Sequence, residues 1–231
     1  NTVTGILNTV NERDITAIVM GMHRKSSVID TFLGSKIEQL VKGTRQMVVL
    51  SRCYIPVNTV TRIVVFVPQK AEYETGFRQW VESLGSLARE VGCRLIFCAN
   101  AQGRSQIAGV ITHAKLGIRH EYRPADGIDD FMLLANKVLD DDLLVVIGAR
   151  RDSVSYTPEM TDIALFLQRY FDRNNLLLIY PAQFGENRLN PDDTQTTFAD
   201  PLGTGPASAP SILRSIRGRL QRLRPLPRRH R

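Results

Sequence analysis

Residues 19–36 read VMGMHRKSSVIDTFLGSK. An apolar run stops at Gly21, a loop carrying His23, Arg24, Lys25 and Ser26 follows, and Gly34 and Ser35 stand at the front of a helix-forming stretch. These residue types in this order could hold a phosphate. A glycine lets the backbone come close to a ligand. Amides at a helix start carry partial positive charge and bind phosphate oxygens. A serine hydroxyl adds a hydrogen bond, and His23, Arg24 and Lys25 could add charge. The same spacing would equally serve a plain strand-to-helix turn with no ligand.

Other chemistry finds less support. GSK at 34–36 is not Gly-Lys-Ser/Thr, so there is no Walker A loop. GTGPAS at 203–208 follows no strand and opens no clear helix, so it is not a dinucleotide fingerprint. Cys53, Cys93 and Cys98 fit no metal-ligand spacing, and Cys93 and Cys98 on one strand face opposite ways. Three cysteines suit buried or half-buried thiols in a reducing compartment better than a disulfide framework. His113 and His120 lack partners for a triad or a metal site, and Asp140, Asp141 and Asp142 read as a solvated turn before a strand.

The elements that must position the loop follow from apolar periodicity. Short β-branched runs at 15–20, 47–50, 62–67, 94–98, 143–148 and 176–180 read as strands, with a weaker one at 120–123. Helical spacing joins Leu33, Ile37 and Leu40, with Gly43 as a stop. A long stripe runs through Phe77, Trp80, Val81, Leu84, Leu87, Ala88 and Val91 and should face the core. Further helices are expected at 107–116, 131–138 and 163–170. Strands alternating with helices imply right-handed βαβ units, hence an α/β fold with a parallel sheet.

An internal repeat organises these elements. A shift of 127 residues places Leu7 on Leu134, Asp14 on Asp141, Val19 on Val146, Gly21 on Gly148, Arg24 on Arg151, Ser26 on Ser153 and Leu40 on Leu167. One extra residue then brings Arg45 to Arg173. Residues 1–56 thus repeat the second half of the unit spanning 57–184. A half unit leaves sheet edges unpaired, which native chains avoid. The short apolar strands at 47–50 and 176–180 are therefore expected to pair antiparallel across a pseudo-dyad, within one chain or between chains.

The charge is unevenly spread. The net charge is +7, yet residues 211–231 hold eight arginines and no acid. Without them 22 basic residues (30 less 8) stand against 23 acidic ones, so the body is close to neutral and a nucleic-acid-binding body is not favoured. Residues 185–210 read as a flexible linker. Beyond it, Ile212, Ile216, Leu220 and Leu223 recur at helical spacing among arginines, forming a basic amphipathic tail. Anionic lipid is a natural partner, met by Arg214, Arg217, Arg219, Arg222 and Arg224; RNA or an acidic protein surface would serve the same charge, and a solvated tail is the plain alternative. No apolar run approaches the roughly 18 residues of a membrane span. No signal peptide is visible, and residue 1 is not Met, which suits a piece of a longer chain.

The spacing Gly21, two residues, Arg24, nine residues, Gly34, Ser35 resembles the phosphate loop of the universal stress protein family, Gly-x2-Gly-x9-Gly-Ser/Thr after the fourth strand. Three of four positions match, and Arg24 replaces the second glycine. The resemblance implies a Rossmann-like parallel sheet of stress-protein type, one full unit plus a preceding half unit. It implies a nucleotide site at Gly21, His23, Arg24, Lys25, Ser26, Gly34 and Ser35, with no cofactor required and ATP or another adenine nucleotide as ligand. The second copy, GARRDSVSYTPEMTD, has Thr161 and Asp162 where Gly34 and Ser35 stood. The family's aspartate after the first strand is replaced there by Val67, Pro68 and Gln69. The second unit therefore looks nucleotide-free.

A longer resemblance covers residues 4–184. ERDITAIVMGMHRKSSVIDTFLGSKIEQLV, VPQKAEYETGFRQW, IDDFMLLANKVLDDDLLVVIGARRDSVSY and LLLIYPAQ look like the tandem stress-protein region on the cytoplasmic end of bacterial cation:proton antiporters. This implies a regulatory, non-catalytic role at the inner face of the cell membrane, behind an N-terminal transmembrane antiporter domain. A homodimer through edge strands is expected. A freestanding stress protein that binds or slowly hydrolyses ATP, and a ligand-free dimerisation module, are the alternatives.

Overall fold

The structure is a computed structural model that describes residues 2–13, 15–22, 35–134 and 137–183. The chain runs α1 (Thr2–Glu12), β1 (Ala17–Gly21), α2 (Ser35–Gly43), β2 (Met47–Arg52), β3 (Arg62–Phe66), α3 (Phe77–Val91), β4 (Arg94–Ala99), α4 (Ala101–His113), β5 (His120–Pro124), α5 (Ile128–Leu134), β6 (Asp142–Ile147), α6 (Ile163–Tyr170) and β7 (Asn175–Tyr180). The seven strands form one sheet in the order β1-β2-β7-β6-β3-β4-β5. Every neighbouring pair is parallel except β2 and β7, which are antiparallel.

The expected seam is therefore present within one chain. Val49 faces Ile179 and Leu50 faces Leu178 across it. The register refines the repeat. Val19 pairs with Val49, whereas its counterpart Val146 pairs with Leu178. The second copy thus has two extra residues between its strands, not one. With that offset the pseudo-dyad passes between the Val49–Ile179 and Leu50–Leu178 pairs.

Alternation along the strands builds two cores. Val49, Ile63, Val65, Leu95, Phe97, Val145 and Ile179 face α3 and α4, with Trp80 fully buried among them. Leu50, Val64, Phe66, Ile96, Val146 and Leu178 face the other layer, where Val10, Leu40, Phe131 and Leu167 pack. Cys93 and Cys98 fall in opposite cores, as their spacing predicts. The α3 stripe ends at Gly92, whose positive φ of 78° turns the next N–H, of Cys93, back onto the Ala88 carbonyl at 3.1 Å. α4 begins six residues before its expected start, because the Asn100 side chain accepts from Gly103 N–H at 2.7 Å and caps the helix there.

One expectation is corrected. Asp142 is not part of a solvated turn. It is fully buried, and its carboxylate takes both Nε (2.7 Å) and Nη2 (2.6 Å) of Arg62. Arg62 and Asp142 are register partners at the starts of β3 and β6, so the pairing of two strands brings the charges together.

Candidate functional site

The first unit's loop follows the carboxyl end of β1 at Gly21, and α2 is described from Ser35. Gly21 is exposed, and the next amide, of Met22, is held by the Ser51 carbonyl at 2.7 Å. The end of a strand and a helix thus flank the loop. His23, Arg24, Lys25, Ser26 and Gly34 lie outside the described residues, as does the side chain of Ser35. The tail arginines Arg214, Arg217, Arg219, Arg222 and Arg224 also lie outside them.

The second unit's loop is described from Gly148 to Met160 and answers to different needs. A Cβ on Gly148 would stand 3.0 Å from the Tyr180 ring and 3.3 Å from Leu178. Ring packing accounts for this glycine without a ligand. Burial pushes the Tyr180 hydroxyl up to about 12, partly offset by Arg150. At the far end of the loop, the Tyr156 hydroxyl lies 2.8 Å from Thr161 Oγ1, and Gln183 donates to Asp152 at 3.0 Å.

Arg150 spends its guanidinium on backbone carbonyls. Its guanidinium donates to the carbonyls of Val41, Thr44 (2.9 Å) and Gln46 (2.7 Å), at the end of α2 and the approach to β2. Burial lowers its pKa, and the charges of Asp152, Tyr180 and Glu74 oppose that shift. The last carbonyls of a helix lack internal partners, so a cation there satisfies them. A cleft of about 340 Å³ opens beside it, between α2 and this loop, with Glu38, Lys42, Arg151 and Tyr156 on its walls.

Two acids at the end of β3 were not among the residues singled out from sequence. Glu74 is buried, and its Oε1 accepts from Ser155 N–H at 2.9 Å and from Ser155 Oγ at 2.8 Å. Glu72 is buried too, and its Oε2 has no hydrogen-bond partner among the described residues. Burial raises its pKa, partly offset by a backbone hydrogen bond. Glu72 Oε2 lies 3.7 Å from where a Cβ would stand on Gly103, in the first turn of α4. The available signal was the pair of acids in VPQKAEYE, directly after a buried strand. Among the described residues no group of three or more His, Cys, Asp or Glu could hold a metal.

The fold has known counterparts. Residues 1–52 match the Universal stress protein family. A functionally unknown protein from Pseudomonas aeruginosa PAO1 matches in structure with a TM-score of 0.51 and 14% identity, over 78% of this chain and 68% of that one. A crystal structure described as "Putative Universal Stress Protein" from Pseudomonas aeruginosa UCBPP-PA14 matches with a TM-score of 0.48 and 14% identity, over 77% of this chain and 67% of that one. No curated protein matches the chain. The N-terminal residues thus carry stress-protein sequence, and the whole sheet is a Rossmann-like α/β fold.

Proposed function

We propose that this chain is a regulatory, non-catalytic module of stress-protein type serving a bacterial cation:proton antiporter from the cytoplasmic side of the membrane. The observation that carries the reading is the seam between β2 and β7, which joins a half unit and a full unit into one sheet. A tandem of this kind is what the motif order over residues 4–184 resembles. The non-catalytic part is supported by the second unit's crevice, where polar groups pair with one another: Glu74 with Ser155, Tyr156 with Thr161, Gln183 with Asp152. Sensing, where it occurs, falls to the loop from Gly21 to Ser35, with an adenine nucleotide as ligand. β2 and β7 are taken up by each other, so a homodimer built on edge strands would use β1 or β5.

A freestanding universal stress protein that binds ATP is the second reading, favoured by the family match over residues 1–52. The complete open reading frame separates the two, since only the first requires a multi-span membrane region upstream. The functional test is ion transport by full-length protein in vesicles, with and without adenine nucleotide. Gly34→Asp places a carboxylate at the phosphate position and should abolish any nucleotide effect. Transport unchanged on deleting residues 1–231 would defeat the regulatory reading.

A further inference from the structure

In an open parallel sheet, ligands bind beyond the carboxyl ends of the strands, at the point where successive connections switch faces. In the second unit that point lies between β3 and β6. The chain leaving β3 leads to α3 on one face, and the chain leaving β6 leads to α6 on the other. A buried carboxylate stands beyond the carboxyl ends of these strands. Glu74 arrives from the β3 side, and both donors of Ser155, the backbone N–H and the hydroxyl, converge on its Oε1. Both residues are buried, at 9% and 2% exposure. A backbone amide and a hydroxyl are groups with which proteins bind oxyanions.

We propose that the N–H and hydroxyl of Ser155 form an oxyanion seat in the second unit, and that Glu74 is its built-in occupant. The carboxylate stands where an oxygen of a phosphate-bearing ligand would bind, so the unit is closed from within. The idea deepens the stress-protein reading by assigning a cause to the closed second unit. It stands or falls separately, since its test reads anion binding beside Ser155 and not nucleotide binding at Gly21–Ser35.

The experiment is thermal unfolding of the whole chain in phosphate, formate or chloride at matched ionic strength, for the native sequence, Glu74→Ala, and Glu74→Ala combined with Ser155→Ala. Removing the carboxylate vacates the seat. Phosphate or formate at ten times its dissociation constant should then raise the Tm of Glu74→Ala by about 3–5 °C over chloride. The native sequence should gain nothing, and the added Ser155→Ala should erase the rise. No oxyanion-selective rise in folded Glu74→Ala, or an equal rise in the native sequence, overturns the proposal. Should Glu74→Ala fold only when formate or phosphate is supplied, the proposal is supported. Should it fold in no anion, Glu74→Gln decides. Its amide fills the same space without charge, so a Tm equal to the native value overturns a seat built for an anion, and a lower Tm supports it.

Discussion

Arg150 donates to the Thr44 carbonyl at 2.9 Å and so ties the second unit's loop to the end of the first unit's helix α2. The two residues are 106 positions apart. Replacing Arg150 by Met keeps much of the stem's packing and leaves the carbonyls of Val41, Thr44 and Gln46 without their donor. The expected cost is about 2–4 kcal/mol of stability. Arg150→Lys should recover only part of it, because an ammonium cannot span the fork that the guanidinium fills. Chemical denaturation of the three proteins checks this; an Arg150→Met midpoint equal to the native one would contradict it.

The seam between β2 and β7 should make the half unit and the full unit unfold together. Calorimetry is expected to give one transition whose van't Hoff and calorimetric enthalpies agree. Leu178 is fully buried and meets Leu50 across the pseudo-dyad. Leu178→Ala should lower that single transition by about 2–5 kcal/mol and should not split it. Two resolved transitions would mean that the seam does not couple the units.

Asp142 is fully buried against an Arg62 side chain that is 14% exposed. Asp142→Leu strands the guanidinium and should cost about 3–5 kcal/mol. Arg62→Met added to it should restore much of the loss, since an apolar pair of similar volume replaces a buried ion pair at little cost. A double mutant no more stable than the single one would show that Asp142 matters for something other than Arg62.

Burial raises the pKa of Glu72 above its unfolded value, so the folded state holds that proton more tightly. Ionisation of Glu72 therefore lowers stability as the pH climbs from the unfolded pKa to the folded one, and the penalty is complete above the latter. Glu72→Gln removes the charge. It is expected to be more stable than the native protein at pH 8, by about 1 kcal/mol, with the advantage fading toward pH 4. Urea unfolding across that range checks the sign; a variant less stable at pH 8 would refute it.

Residues 211–231, outside the described residues, hold eight arginines and no acid. Each base near an anionic membrane contributes about 1 kcal/mol, within roughly a Debye length. The chain should co-sediment with anionic vesicles at low salt, release at high salt, and ignore neutral vesicles. Truncation after Pro210 should abolish binding, since the remaining body is close to neutral. Equal partitioning of both chains would remove the lipid role.

Local chemistry carried much of this molecule in its sequence. The strands were legible as short, continuous β-branched runs, which a parallel sheet buries on both faces, and the stripe of α3 was legible because a helix repeats every 3.6 residues. The repeat was legible because Gly21 and Gly148, with Arg24 and Arg151, recur at one offset. The antiparallel seam followed from the need to pair two short apolar edges. What remained hidden joins residues far apart in the chain. Asp142 looked solvated because its acidic neighbours said nothing of Arg62, 80 positions away. Glu74 and Ser155, 81 apart, meet only because β3 and β6 lie side by side with their loops at the same end. Arg150 finds the carbonyls of α2 only once β7 has docked on β2. Such contacts depend on strand order and handedness, and no window of neighbouring residues encodes either.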